Sequence, residues 1–386
     1  MHKNGYNNVI ALARAKLNPK NAFSQDHHAQ LACLAIRIGL DFDASREVGR
    51  KMEIELVESY MRIVFAVPEH REFMRTGTPS EPILAEAAAQ LLNWESSPPL
   101  EQLAPMALNE AFQRGILARG ERGEMVARLL WTLAHDLVLQ DNLHFGVVEF
   151  HKPIRVLDFL HALFHENHWE NIGNAKPVGN ADGPTLSEAF DEAYIQFSHF
   201  IDGVDYNIGL TQVYRLLLRG AALSCHRNQE SIDFLTPILF GSPDSTPLRR
   251  SNTSVLQAQV KNRHVAEELI LNPTLAQSNP ELPVLSLVHE LGTLDSSVKC
   301  TPSFQRARKF HTHYYQIISH GCSSKTFRVI PESMENIFPM LLGSNLLMDD
   351  FPRCDEAISK TLFRQLQPCT GLELGVPCEW FGEDVE

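Results

Sequence analysis

The sequence lacks several features that would place it in a common class of protein. It contains no run of 18 apolar residues, which argues against a membrane-spanning helix. Its first residues show no apolar segment followed by a small-residue cleavage site, so we expect no secretory signal. The seven cysteines form no C-x-x-C pair and are odd in number. This pattern favours reduced thiols in an intracellular protein, nuclear or cytoplasmic, over a disulfide framework.

Two catalytic motifs are absent as well. The chain has no G-x-x-x-x-G-K-[ST] string, so we expect neither a nucleotide cofactor nor nucleotide hydrolysis. It has no G-x-S-x-G string either, which argues against a hydrolase with a Ser-His-Asp triad on a nucleophile elbow.

The sequence also has no excess of basic residues. The net charge is −13, and an acidic surface repels phosphate. The charge is unevenly distributed, however. Residues 181–330 carry 14 acidic and 13 basic side chains, whereas the rest of the chain carries 33 and 21. The middle of the chain is therefore nearly neutral and is compatible with a local basic face.

The N-terminal part of the chain is helical by pattern. Apolar residues recur every three or four positions over 27–38, 45–67, 85–92, 103–112, 123–139 and 154–164, and prolines or glycines separate these segments. Residues 171–184 are rich in Gly, Asn and Pro and are the best candidate for a linker. We therefore predict a helical domain over 1–170, a second domain over 185–345, and a C-terminal helical extension with an acidic tail over 346–386.

The second domain reads as mixed α/β. Helices are predicted over 185–201 and 209–219, the latter ending at Gly220. Short apolar or alternating segments then predict strands over 221–225, 232–240, 253–260, 283–288 and 314–319, with one more over 327–330. The predicted fold class is α/β (α+β), with a mixed central sheet flanked by helices.

One predicted hairpin brings polar residues together. If strands 232–240 and 253–261 pair antiparallel about a turn near residue 246 or 247, paired residues have numbers that add up to about 493. Asp233 then lies opposite Val260, with Gln259 and Lys261 on either side. Gln259 and Lys261 are two positions apart, so they share one face of the sheet.

These side chains suit metal-assisted cleavage of a phosphodiester. The Asp233 carboxylate and the Gln259 amide oxygen can hold Mg²⁺ or Mn²⁺, with the backbone carbonyl of Val260 as a further ligand. Lys261 can orient a water molecule or stabilise developing negative charge. Arg249, Arg250 and Arg263 can contact phosphate. A strand-start Asp, a solvated strand-end Lys and solvated loop arginines are the structural alternatives.

A resemblance carries this interpretation further. Asp233, followed by Gln259-x-Lys261 on a helix–strand–strand–strand order, resembles the PD-(D/E)XK restriction-endonuclease-like superfamily. The segments RGAALSCHRNQESIDFLTPILF and SVLQAQVKN are similar to nuclease-like modules of fungal proteins of the Crinkler and retrotransposon-hotspot type. The resemblance implies a restriction-endonuclease-like domain over 185–345, dependence on Mg²⁺ and DNA as the substrate. On this basis Asp233 and Gln259 are metal ligands, and Asp233, Gln259 and Lys261 are the catalytic set.

The sequence departs from that superfamily in two ways. Gln259 stands where an Asp or Glu is usual, and a neutral amide binds Mg²⁺ more weakly than a carboxylate does. The superfamily often adds a Glu from the helix before the first strand, but residues 209–219 contain no acid and Asp205 lies just ahead of them. Glu188 and Glu192, on the preceding predicted helix, are both open candidates for that role.

Three functions are consistent with these observations. The first is a metal-dependent DNA nuclease. The second is an inactive nuclease-fold module that binds nucleic acid or a protein partner, the latter through the N-terminal helical domain. The third is a helical scaffold whose β segment is purely structural.

Overall fold

The structure is a computed structural model, and it describes residues 3–67, 69, 74–94, 97–118, 120, 122–142, 148–203, 208–225, 232–265, 281–300 and 313–343. Residues Met1–Leu342 form one compact unit, and Gly343–Glu386 form a second. All helices and strands given below belong to the first unit. The helix predicted over 355–366 and the acidic tail lie outside the described residues.

Six helices make up most of the N-terminal part: α1 (Lys3–Leu17), α2 (His27–Ile38), α3 (Glu47–Ser59), α4 (Pro82–Leu92), α5 (Leu100–Gln113) and α6 (Arg122–Asp141). Their ends follow local chemistry. The Asp26 side chain caps α2 by accepting hydrogen bonds from the peptide N–H groups of His28 and Ala29. Gly39, with a φ of +65°, ends the same helix.

One helix is shorter than the sequence predicted. The pattern predicted helix over 45–67, but α3 ends at Ser59. Residues Ile63–Ala66 form β1, which pairs antiparallel with β2 (Arg75–Gly77). Met61 has a φ of +65°, which a helix does not tolerate, and the β-branched pair Ile63-Val64 that follows favours extended backbone. The prediction that this part of the chain contains no strand was therefore wrong.

The next part of the chain carries short elements. They are β3 (Ile154–Arg155), α7 (Val156–Leu163), α8 (Trp169–Gly173), α9 (Leu186–Ala189), β4 (Ala193–Ile195) and β5 (His199–Asp202). The helix predicted over 185–201 was wrong beyond its first turn. Ala193, Ile195 and Phe197 are buried at every second position, so the apolar spacing also fits a strand, and pairing within the sheet selects that alternative.

The remaining elements build the main sheet. They are α10 (Leu210–Arg219), β6 (Ala221–Ser224), β7 (Phe234–Phe240), β8 (Thr253–Lys261), β9 (Val284–Glu290), β10 (Ser297–Lys299), β11 (Tyr314–His320) and α11 (Ile337–Leu342). The strand predicted over 327–330 is limited to one isolated bridge between Phe164 and Phe327. The other predicted strands of this region are present, with ends shifted by one or two residues.

Within the described ranges, nine strands form the main sheet, which is mixed. Its path runs β10-β11-β9-β8-β7-β4-β3. At β7 the sheet forks, because β4 pairs with one half of that strand and β6 with the other half, and β5 then adds to β6. Strands β8, β9 and β11 are parallel to one another, whereas β7 is antiparallel to β8. The protein is therefore of mixed α/β class, as predicted.

Helices cover both faces of this sheet. On one face, Val213 and Leu216 of α10 pack with Leu235 of β7 and Val255 of β8. On the other face, the Trp131 indole of α6 meets the Phe234 ring edge to face, with ring centres 4.8 Å apart. None of the helices in the described part of the chain combines the length and apolar character needed to cross a bilayer.

The predicted linker lies against the sheet. The Val178 N–H donates a hydrogen bond to the Tyr314 carbonyl at 2.7 Å, and Ile172 is fully buried in the main core. That core takes residues from α2, α4, α5 and α6 as well as from the sheet. The division into domains at 171–184 stays a prediction.

Candidate functional site

The hairpin that carries the candidate site is formed by β7 and β8. Phe234 pairs with Ala258, Leu235 with Gln257, and the register continues to Leu239 with Thr253. The predicted antiparallel pairing is therefore confirmed, but paired residue numbers add up to 492 rather than 493. Continued by one residue, this register sets Asp233 level with Gln259 instead of Val260.

Three hydrogen bonds fix Asp233. Its peptide N–H donates to the Ala258 carbonyl at 2.9 Å, and its carbonyl accepts from the Cys225 N–H at 2.8 Å. Its Oδ2 accepts from the peptide N–H of Val260 at 2.5 Å. The Asp233 carboxylate therefore reaches the middle residue of the Gln259-Val260-Lys261 triplet, although the register differs by one from the prediction.

Gln259 and Lys261 lie on the same face of β8. Gln259 is 7% exposed and Lys261 is half-buried. Within the described part of the chain, neither side chain forms a hydrogen bond or an ion pair. Neither the Gln259 amide nor the Lys261 ammonium is among the fully buried polar groups without a partner in the described part of the chain, so both still reach water. These two polar groups are therefore accessible to a ligand at the end of β8.

An acid that the sequence analysis missed lies beside Lys261. In the parallel pairing of β8 and β9, Lys261 is level with Glu290, whose side chain is fully buried. Arg263 binds this carboxylate through two contacts, Nη2 to Oε1 at 2.8 Å and Nε to Oε2 at 3.2 Å. The only sequence signal is a Glu at the end of the apolar run VLSLVH, and its relevance depends on a pairing between distant segments.

A second carboxylate, that of Glu124 in α6, lies near the end of β6. The pKa of the Cys225 thiol is raised by burial and then by the negative charges of Asp233 and Glu124. Both carboxylates therefore act on the same thiol. Arg128, one turn further along α6, donates to the Ser224 Oγ at 3.3 Å and lies 3.9 Å from Glu124. The start of α6 thus adds an acid and a guanidinium next to the ends of β6 and β7.

The other acids considered from sequence lie elsewhere. The Glu188 carboxylate accepts from the Thr185 N–H in a capping box at the start of α9. The Glu192 carbonyl accepts from the Gly241 N–H. Gly241 follows the far end of β7, about 26 Å along the strand from Asp233 at 3.3 Å per residue. Asp205 lies outside the described residues.

The three candidate arginines divide between the two ends of the hairpin. Arg249 and Arg250 precede β8, so they lie at the end opposite to Lys261. Arg263 follows β8 and is engaged by Glu290. Of the three, only Arg263 belongs to the end of the sheet that carries Asp233.

The oxygen atoms around Asp233 are the candidate donors for a divalent ion. Among the described residues, no group of three or more His, Cys, Asp and Glu side chains is arranged to hold a metal ion. Asp233, the Gln259 amide and the Val260 carbonyl would supply three oxygen ligands, and Mg²⁺ readily keeps water in its other positions. One lone pair of Asp233 is already used by the Val260 N–H, so the set fits a hydrated ion better than a fully enclosed one.

Comparison with known proteins assigns a family but no activity. No curated protein and no solved structure matches the chain. The sequence pattern of one family, described as a domain of unknown function (DUF8736), matches residues 20–317, which is more than half of the chain and extends from before α2 into β11. The protein therefore belongs to the DUF8736 family.

Proposed function

We propose that this protein is a metal-dependent nuclease that hydrolyses DNA phosphodiesters at the strand end carrying Asp233, Gln259 and Lys261. One observation carries the proposal. The Asp233 carboxylate accepts a hydrogen bond from the N–H of Val260, and the side chains of the flanking residues Gln259 and Lys261 have no partner in the described part of the chain. A fixed acid beside an unpaired amide and ammonium is an arrangement that a phosphate and a hydrated cation would complete.

The order of elements supports the same assignment. Helix α10 is followed by β6, β7 and β8, which are neighbours in the sheet and pair antiparallel in sequence order. This is the helix–strand–strand–strand order on which the resemblance to the PD-(D/E)XK superfamily rests. Asp233 precedes the second of these strands, and Gln259 and Lys261 end the third.

Each residue has a distinct role in the proposed reaction. Asp233, Gln259 and the Val260 carbonyl would hold Mg²⁺ or Mn²⁺, which would lower the pKa of a bound water molecule and offset charge on the phosphate. Lys261 places its ammonium against the non-bridging phosphate oxygens, where negative charge develops during attack. The Arg263–Glu290 pair holds the end of β9 beside Lys261, because Glu290 is level with Lys261 in the register.

The experiment is a cleavage assay with purified full-length protein. Supercoiled and linear DNA are incubated with Mg²⁺ or Mn²⁺, and the products are separated on a gel. We expect the wild-type protein to cut DNA and Lys261→Ala to lose at least about a hundredfold in rate, a typical loss for one stabilising group in an active site. Arg250→Ala, which removes an exposed arginine at the opposite end of the hairpin, is the matched control and should keep the wild-type rate. Equal cutting by wild type and Lys261→Ala would eliminate the role of Lys261.

A second function is favoured by a specific observation. Gln259 replaces a carboxylate, and one oxygen of Asp233 is already hydrogen-bonded. Both features weaken metal binding, so the same surface could serve as an inactive nuclease-fold module that binds nucleic acid or a protein. Retained DNA binding without cleavage, with an affinity that falls as salt rises, would favour this alternative. Failure to bind DNA at any salt concentration would instead favour a protein partner.

A further inference from the structure

A cavity of about 650 Å³ lies between α10 and the pair formed by β5 and β6. Ile201 of β5 and Leu223 of β6 are level in the parallel register, so their side chains lie side by side along its lining. Pro82 of α4 also lines the cavity. The other apolar lining residues are Ile208, Leu216 and Leu218. The volume falls within the usual range for small-molecule sites, and a mainly apolar lining is typical of them.

Helix α10 presents a polar row to this cavity. Gln212, Arg215 and Arg219 are spaced by three and four residues, so they share one face of the helix, and all three line the cavity. Arg219 is held in place, because its Nε donates to the Ser80 Oγ at 2.9 Å and to the Ser80 carbonyl at 3.1 Å. Arg215 is exposed and forms no hydrogen bond or ion pair with any residue that the structure describes.

The described lining carries two basic side chains and one acidic side chain. Arg215 and Arg219 are the cations, and Asp202 is the acid, so these residues have a net charge of +1 in a chain whose net charge is −13. Arg219 lies 3.8 Å from the Glu81 carboxylate. Among the residues that the structure describes, Arg215 is therefore the lining cation without an ion pair.

We propose that this cavity binds an organic anion with an apolar body, such as a medium-chain carboxylate, with the anionic group on Arg215. The apolar body replaces water against Ile201 and Leu223, and removing apolar surface from water favours binding. The carboxylate accepts two parallel hydrogen bonds from the planar guanidinium, which is the strongest pairing available to it. This site uses residues separate from Asp233 and Lys261. The proposal can therefore be right or wrong independently of the nuclease assignment.

Calorimetric titration with octanoate tests the proposal. We expect the wild-type protein to bind octanoate and to bind 1-octanol at least about tenfold more weakly, because the alcohol has the same apolar chain without the charge. Arg215→Ala should weaken octanoate binding by about tenfold or more, and Arg215→Lys by less, since an ammonium keeps the charge but loses the two-point contact. Arg250→Ala is the control and should leave binding unchanged.

Three results would overturn the proposal. These are undetectable binding of octanoate by the wild-type protein, equal affinities for octanoate and 1-octanol, and wild-type affinity in Arg215→Ala. Because Arg215 is exposed and makes no contact with a polar partner in the described part of the chain, its replacement should leave the fold intact. Circular dichroism of each variant checks that expectation.

Discussion

We expect the free energy of unfolding to fall at acidic pH values at which carboxylates are still ionised. His289 should account for a measurable part of this loss. The imidazole is fully buried in β9. Its Nε2 accepts from the Trp131 Nε1–H at 3.0 Å, and its Nδ1 is 2.8 Å from the Ser319 Oγ. An indole nitrogen only donates, so the proton of the neutral ring is on Nδ1, and Ser319 passes its own hydrogen bond to the Val288 carbonyl. Protonation of Nε2 would break this series of hydrogen bonds, because Nε2 could no longer accept from Trp131.

The size of the effect follows from the pKa. Burial lowers the pKa of His289 to about 3. In the unfolded chain the pKa of a histidine is about 6.5. Between the folded and the unfolded pKa, the unfolded state therefore binds a proton and the folded state does not. The contribution of His289 to the free energy of unfolding is therefore fully present above about pH 6.5, and it decreases by about 1.36 kcal/mol for each pH unit below that value. At pH 5 the loss from His289 is about 2 kcal/mol, which is a large part of an ordinary stability of about 5–15 kcal/mol.

Urea unfolding at pH 7 and pH 5 measures this loss. His289→Gln keeps a hydrogen-bonding group at the position but does not titrate. We expect the variant to lose about 2 kcal/mol less than the wild type between the two pH values, whatever its stability at pH 7. His161→Gln, at an exposed position on α7, is the control and should show the full wild-type loss. An equal loss in wild type and His289→Gln would refute the reasoning.

Three further perturbations have defined outcomes. Arg37→Met should lower the free energy of unfolding by about 3–5 kcal/mol in urea, because it leaves the fully buried Asp136 carboxylate without the guanidinium that it contacts at 2.7 Å. Gly220→Ala should cost about 1 kcal/mol in the same assay, since Gly220 ends α10 with a φ of +61°. Gln259→Glu should lower the thermal midpoint without metal, because the register sets the second carboxylate level with Asp233. It should also raise the response to Mg²⁺ above that of the wild type. An equal Mg²⁺ response in both proteins would contradict the proposed ligand role of Gln259.

Local signals account for the parts of the fold that the sequence predicts well. Helix α2 begins and ends at the predicted residues because Asp26 and Gly39 are strong capping residues. Helix α10 ends at Gly220 for the same reason. Strand β7 was predicted because it is a nearly continuous apolar run, as expected of a strand covered on both faces.

The predictions were wrong where the same apolar spacing fits both a helix and a strand, or where pairing between distant segments determines the structure. Ala193 and Phe197 are four positions apart, which fits a helix, but Ile195 between them fits a strand, and only pairing of β4 with β7 resolves the choice. The hairpin register was off by one because its twelve-residue connection contains no tight turn to fix it. Glu290 was missed because its position beside Lys261 depends on the parallel pairing of β8 with β9, which no local pattern contains.

The most direct test of the proposed site is the binding of Mn²⁺ to the full-length protein, followed by electron paramagnetic resonance of the free ion. Asp233→Asn is the matched variant, because the amide oxygen can still accept from the Val260 N–H while the charge that attracts the metal is gone. We predict that the wild-type protein takes up one Mn²⁺ per chain and that Asp233→Asn binds it at least about tenfold more weakly. Equal uptake by both proteins, or none by the wild type, would contradict the assignment of a metal site to this strand end.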